Sequence, residues 1–261
     1  MKKIIVANWK MNLEAETEIG LFQNYLTLLP ATSQEIEVWI APSYLSLIKI
    51  IELRDYASRK QLRLGAQDAS EAEPGAKTGE ISAMSLKKIG ADFVIIGHSE
   101  RRSHLSENSK LCAQKAIRAL SSDLKVIFCV GENLSQREKG ELAKILSEQI
   151  APLFEIDRKL MNQKIKSRDL IFAYEPVWAI GTGKAATPQI AVAAHEQIVA
   201  ICQEFADLPT TALPVILYGG SVNPQNIADF TTEPLIGGVL VGGASLQAET
   251  FAEIIEKTTV C

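Results

Sequence analysis

Residues 170–205 read LIFAYEPVWAIGTGKAATPQIAVAAHEQIVAICQEF. The run Leu170–Tyr174 is apolar nearly throughout, as suits a parallel strand covered on both faces. Polar and Gly-rich positions follow, from Glu175 to Lys184. Thr187 then stands where a helix N-cap belongs, with Pro188 at the first helical position. Ala194, Ile198, Ile201 and Phe205 give that helix one apolar stripe. The order is strand, polar loop, helix, with the loop chemistry after the strand.

The same unit recurs along the chain. Strands are expected at Lys3–Trp9, Ile36–Ala41, Leu62–Ala66, Asp92–Ile96, Lys125–Val130, Leu170–Tyr174, Pro214–Tyr218 and Gly238–Val241. Phe22, Tyr25, Leu26 and Leu29 fall at helical spacing, and Pro30 follows as a stop. Asn223-Pro224 repeats the helix-start signal before the seventh helix, and Phe251, Ile254 and Ile255 mark a last stripe. Eight units in 261 residues average about 33 residues each, the size of a βα repeat. Such a chain is α/β, and it either closes into a (β/α)8 barrel or stays open as a doubly wound sheet. Polar loops follow many strands here, whereas an open sheet gathers its ligands at one switch point. The expected fold is therefore a (β/α)8 barrel, with residues 1–261 as a single domain.

Composition bounds the function less tightly. The chain carries 27 Lys+Arg against 31 Asp+Glu, a net charge of −4, and 47% hydrophobic residues. This is ordinary globular composition, and it excludes a disordered chain. A chain this long needs no staples, so a disulfide scaffold is excluded. No apolar run reaches the roughly 18 residues of a membrane span. The apolar run Ile4–Ala7 is too short for a secretory signal, which needs about 7–15 residues. Cys112, Cys129, Cys202 and Cys261 are scattered, with no CxxC pair and no His at metal-ligand spacing. They are expected to be free thiols in a cytoplasmic protein. The slightly acidic balance and the lack of a Lys/Arg stripe argue against nucleic-acid binding.

In a barrel the site is built from residues just after the strands. Strand 1 ends in Asn8-Trp9-Lys10, which puts a cation and an amide at the mouth of a buried strand. Strand 4 ends in Gly97-His98-Ser99-Glu100-Arg101-Arg102, where a helix start disfavours a positive imidazole. Strand 6 ends in Glu175-Pro176-Val177-Trp178, so an apolar loop can screen the carboxylate from water. The stiff Pro176 and the small Gly181, Gly183, Ala185 and Ala186 suit a swinging lid, or else a well-packed connection. Strands 7 and 8 end in Gly219-Gly220-Ser221 and Gly242-Gly243, whose backbone amides can approach an anion closely. A carboxylate base, a hydrogen-bonding histidine, a cation and an anion cradle suit proton abstraction beside a carbonyl. That chemistry needs no cofactor and no metal.

These motifs, in this order and over nearly the whole chain, resemble the triosephosphate isomerase family, whose fold is the TIM barrel. The resemblance implies interconversion of dihydroxyacetone phosphate and D-glyceraldehyde 3-phosphate. It implies Glu175 as base, His98 as electrophile, Lys10 as substrate-binding cation and Glu100 as the acid beside the histidine. Asn8 is similar to the family's substrate-site asparagine. The backbones of Gly181, Ser221, Gly242 and Gly243 would hold the phosphate. The segment Gly75-Ala76-Lys77-Thr78-Gly79-Glu80 resembles the family's third loop, which enters a partner subunit. A homodimer is implied, with Thr78 steadying Asn8 and His98 across the interface and Glu80 pairing with Arg101 of the other chain. Three features depart from the pattern. Lys77 stands where an aromatic is common. Val199 and Gly237 replace an Arg and an Asp that form an ion pair. Ile156–Arg168 is expected to be a polar surface insertion. Another phosphate-binding barrel enzyme, or a binding protein reusing the scaffold, remains open from the residues alone.

Overall fold

A computed structural model describes residues 2–30, 35–59, 61–179, 186–206 and 213–259. Its strands are β1 Lys3–Asn8, β2 Ile36–Ala41, β3 Leu62–Ala66, β4 Phe93–Ile96, β5 Lys125–Val130, β6 Leu170–Tyr174, β7 Val215–Tyr218 and β8 Gly238–Val241. They pair in parallel in chain order, and β8 returns to β1, closing the barrel. The open, doubly wound alternative is excluded. Each strand lies within one residue of its expected bounds. β7 starts after Pro214, which has no N–H to give a ladder. Closure depends on Gly238, whose φ is +150°. A Cβ there would stand 1.9 Å from the Ile4 carbonyl oxygen, so only glycine lets β8 approach β1 this closely.

Side chains alternate across each strand. Ile4, Val6, Phe93, Ile95, Ile127, Cys129, Ile171, Ala173, Val215 and Leu217 form one cluster that fills the barrel. Their neighbours, such as Ile5, Phe128, Phe172 and Tyr218, join the layer beneath the helices. Extending the inward row past the strand ends reaches Asn8, Gln67, Gly97, Gly131, Glu175, Gly219 and Gly242. The strand parity thus aims these positions at the mouth.

The helices begin with α1 Ala15–Leu28, α2 Tyr44–Tyr56, α3 Ala83–Lys88, α4 Ser99–His104 and α5 Ser109–Ser121. They continue with α6 Leu134–Glu138, α7 Leu142–Lys166, α8 Pro188–Phe205, α9 Ile227–Thr231 and α10 Ala248–Glu256. α1 buries Phe22 and Tyr25, and α10 buries Phe251, Ile254 and Ile255. α8 starts at Pro188 as expected, with the Thr187 side chain accepting from Ile190 N–H.

One expectation is corrected and another narrowed. Asn223-Pro224 opens a turn, not the helix. The Asn223 side chain accepts from the N–H groups of Gln225 and Asn226, and α9 begins only at Ile227. Ile156–Arg168 is largely exposed, as expected of a surface segment, but most of it is helix of α7 and it is not wholly at the surface. α7 breaks at Asp157, whose carboxylate caps the N–H of Leu160 at 2.9 Å, and the helix then resumes. Met161 and Ile165 from this part are buried in the core. The polar residues lie between apolar ones at helical spacing, which overrides the local composition. At the departures in the pattern, Val199 packs against the core and Gly237 lies against Val215. Packing replaces the ion pair there, with no orphan charge at either position.

Candidate active site

The loops after the strands surround a cavity of about 590 Å³, lined by Asn8, Lys10, His98, Glu100, Glu175, Ser221, Gly242 and Gly243 among others. Every expected catalytic and substrate-binding residue except Gly181 therefore meets at one place. Gly181 lies outside the described residues, as does the part of the expected lid from Ile180 to Ala185.

The charged groups form one continuous chain. Lys10 Nζ is 2.6 Å from Glu100 Oε1, and Glu100 Oε2 is 3.5 Å from His98 Nδ1. His98 Nε2 is 2.9 Å from Glu175 Oε1, and the Ser99 N–H donates to Glu175 Oε2 at 2.8 Å. Glu175 and His98 are both buried. Burial would raise the Glu175 pKa, but His98, the Ser99 N–H and Lys10 together hold it below the ordinary value. Burial alone would lower the His98 pKa, but the Glu175 carboxylate beside it raises it above the ordinary histidine value. This corrects the expectation that the helix start leaves His98 easier to deprotonate than usual. His98 does sit at the N-cap of α4, and its Nδ1 accepts from Glu100 N–H at 3.3 Å. A carboxylate in direct contact outweighs the partial charge of so short a helix.

Lys10 adopts a left-handed backbone, φ +53°, uncommon for a side chain of this kind. The Asn8 side chain accepts from Lys10 N–H at 3.1 Å and holds it there. A Cβ built on Gly242 would stand 3.8 Å from Lys10 Nζ, so the turn after β8 and the ammonium share one face of the cavity. Such an arrangement offers a carboxylate base, a ring N–H and a cation to one small anionic molecule.

The expected interface residues lie to one side. Ser70 and Ser82 bridge the base of the third loop, and residues 73–80, with Thr78 and Glu80, are all exposed. Lys77 is 3.9 Å from Glu71. Arg101 is already anchored within its own chain, to Glu107 at 2.7 Å and Asp68 at 2.8 Å. Lys115 completes that buried cluster, 2.7 Å from Asp68 and 2.6 Å from Glu107.

The family model described as triosephosphate isomerase matches residues 3–258. The chain belongs to the triosephosphate isomerase family. It is 41% identical over 257 residues to a triosephosphate isomerase of Caldanaerobacter subterraneus subsp. tengcongensis, covering 97% of this chain and 98% of that one. It is 40% identical over 256 residues to one of Chloroherpeton thalassium, covering 98% of each. A third, of Flavobacterium psychrophilum, is 38% identical over 254 residues, covering 97% of this chain and 98% of that one. Membership in the triosephosphate isomerase family makes the chain an isomerase.

Sequence reasoning missed three residues that hold this family site together. The Gln67 amide donates to the Lys10 carbonyl at 2.8 Å and to the Ala41 carbonyl at 3.1 Å. Its signal was the inward parity of β3, two residues past Gly65. A Cβ on Gly131 would stand 1.8 Å from the Glu175 carbonyl oxygen, so the loop after β5 seats the backbone of the carboxylate. The third is Glu132, fully buried. It accepts from Tyr174 Oη at 3.1 Å and Trp178 Nε1 at 2.8 Å, and its carbonyl takes Val177 N–H at 3.1 Å. Arg137 stands 3.3 Å from that carboxylate and 4.3 Å over the Trp178 ring. Glu132 thus clasps the first half of the expected lid, a role that only the fold brings to a residue on another loop.

Proposed function

We propose that Glu175, His98 and Lys10 carry out the interconversion of dihydroxyacetone phosphate and D-glyceraldehyde 3-phosphate, the reaction of this chain's family. The observation that carries the assignment is the buried Glu175 carboxylate, 2.9 Å from His98 Nε2 at the wall of a cavity that also presents Lys10. Substrate entering between Glu175 and His98 takes over their mutual contact. Glu175 then removes a proton from the carbon beside the carbonyl, and the carbonyl oxygen becomes an enediolate oxygen. His98 Nε2–H stabilises that charge, and the Lys10 ammonium binds the negative charge of the substrate. The hydroxyl proton on the deprotonated carbon passes by way of His98 to the enediolate oxygen, and Glu175 returns its proton to the former carbonyl carbon, which converts ketose to aldose without net change in composition. This family is itself a standard example of a glutamate base working beside a neutral histidine. Glu100 steers Lys10 and the far side of the imidazole, and Asn8 fixes the Lys10 backbone. The amides around Gly181, Ser221, Gly242 and Gly243 receive the phosphate dianion. No cofactor enters this scheme.

The reaction belongs to glycolysis and gluconeogenesis. We place it in the cytoplasm, consistent with the free, buried thiols of Cys112, Cys129 and Cys202. Among the described residues no helix is long and apolar enough to cross a membrane. We further propose a homodimer. Met11, Leu45, Ile48 and Met84 are exposed apolar residues on the segments following β1, β2 and β3. They share a side of the barrel with the protruding third loop, and such a face calls for a partner. Thr78 and Glu80 are the residues we assign to reach the partner's site.

An assay of the purified chain with D-glyceraldehyde 3-phosphate, coupled to reduction of the dihydroxyacetone phosphate formed, tests the assignment. Turnover without added metal or cofactor is expected. A folded sample with no turnover would refute it.

A further inference from the structure

We propose that Tyr25 is a positioning residue for the phosphate end of the site. It joins the loop that carries Lys10 to the turn that follows β8. This inference rests on assigning the Gly242–Gly243 segment as the phosphate cradle.

Tyr25 lies on α1, does not line the cavity, and is fully buried. Its ring stacks on Phe251 of α10, with centroids 5.1 Å apart and planes 12° apart. It meets Trp9 edge-on at 5.6 Å and 76°. Packing alone would be served by a phenylalanine there. The hydroxyl is a polar group in an apolar layer, and it is tolerated only with partners. Both of its partners belong to site loops. Trp9 Nε1, next in sequence to Lys10, donates to it at 3.4 Å. The hydroxyl in turn donates to the Ser245 carbonyl. Burial pushes the phenol pKa up, so the hydroxyl keeps its proton at neutral pH and acts as a donor.

Ser245 is not an arbitrary anchor. Its N–H and its Oγ both donate to the Gly242 carbonyl, at 2.9 and 2.7 Å. The turn is thereby folded onto its first residue, the glycine that faces the Lys10 ammonium. A single phenol therefore fixes the turn from behind at Ser245, while Trp9 carries the same fixation to the Lys10 loop. The separation of cradle and cation sets how well a phosphate dianion is bound. It has no direct bearing on the proton transfer at Glu175.

The test is Tyr25→Phe in the full chain, which removes one oxygen and keeps the ring. Expected is a parallel rise of roughly three- to tenfold in KM for glyceraldehyde 3-phosphate and in the inhibition constant of inorganic phosphate, the range for losing one buried hydrogen bond. kcat should change by less than about twofold, because the interaction is with a part of the substrate that does not react. Phe251→Leu is the control. It loosens the ring stack and lowers Tm but leaves the hydroxyl in place, so its phosphate inhibition constant should stay near that of the unmodified protein. An unchanged inhibition constant in Tyr25→Phe would overturn the proposal, whatever happens to Tm. So would a rise in both variants in proportion to the Tm lost. If inorganic phosphate fails to inhibit the unmodified protein, the cradle assignment itself falls, and the role of Tyr25 with it.

Discussion

The imidazole Nε2 of His98 lies 2.9 Å from Oε1 of Glu175, and both side chains are buried. Each group therefore stabilises the charged form of the other, and a substrate must come between them. The titration of the free protein follows from this contact. His98 should titrate above its ordinary 6.5 and Glu175 below its ordinary 4.5. A raised histidine contributes stability that is full below 6.5 and is lost as pH rises through the folded value. A lowered glutamate contributes stability that is present above 4.5 and is lost as pH falls through its folded value. Both contributions are in place only between the two ordinary values. An NMR titration of the His98 ring checks this: an apparent pKa above 6.5 is expected, and it should drop in Glu175→Gln. A ring titrating at or below the ordinary value in the unmodified protein would contradict the contact.

Shortening the base tests its role directly. Glu175→Asp withdraws the carboxylate by one methylene, about 1 Å or more from the reacting carbon. A loss of about 10²-fold in kcat is expected, with the circular dichroism spectrum unchanged. A variant that turns over at the original rate would remove Glu175 from the chemistry.

Gly131 should be intolerant of any side chain. Its added Cβ would fall 1.8 Å from the Glu175 carbonyl oxygen, so the backbone of the base must move. Gly131→Ala is expected to cost about 1–3 kcal/mol by overpacking and to lower kcat at least about tenfold through the displaced carboxylate. Gly219→Ala, whose Cβ would meet Glu175 Cγ at 3.0 Å, should do less. Steady-state kinetics and urea unfolding of the two variants decide the order.

Gln67→Leu keeps bulk at the mouth but removes the donor to the Lys10 carbonyl. The Ala41 carbonyl keeps the Trp9 N–H at 3.2 Å, so the Lys10 carbonyl alone loses its partner. A cost of about 1–3 kcal/mol in urea unfolding is expected, together with a higher KM as the strained Lys10 backbone relaxes. A variant with unchanged KM would show that Lys10 holds its place without Gln67.

The proposed dimer can be separated from the stability of the barrel. Leu45 is 87% exposed in the single chain, so Leu45→Glu should alter the stability of a monomer by no more than about 0.5 kcal/mol. If its face is the interface, a charge buried there without a partner should shift sedimentation from twice the mass of the chain toward a single chain, with falling activity. Sedimentation of the original and altered chains as the same species would argue against that face.

The sequence by itself determined where the strands lie and which polar residues follow them, while closure and the inward row came with the tertiary structure. Strand periodicity is a local property, and once Ile171 and Ala173 face inward, Glu175 must face the mouth. The glycines after β7 and β8 and the Asn8–Lys10 run were legible for the same reason. Local composition placed Ile156–Arg168 at the surface, where most of it lies, but did not show that Met161 and Ile165 reach the core from α7. The tertiary structure alone decided which loops touch. Parity aims Glu175 inward but does not say that it meets His98, which reverses the expected direction of the histidine's pKa. Nor does it reveal the grip of Gln67 on Lys10, of Glu132 on Trp178, or of Tyr25 on Ser245. Those contacts arise as the strands pair around the closed barrel and bring loops distant in sequence within hydrogen-bond reach. Hydrogen bonds act over a few ångströms of space, and no local pattern in the chain encodes that proximity.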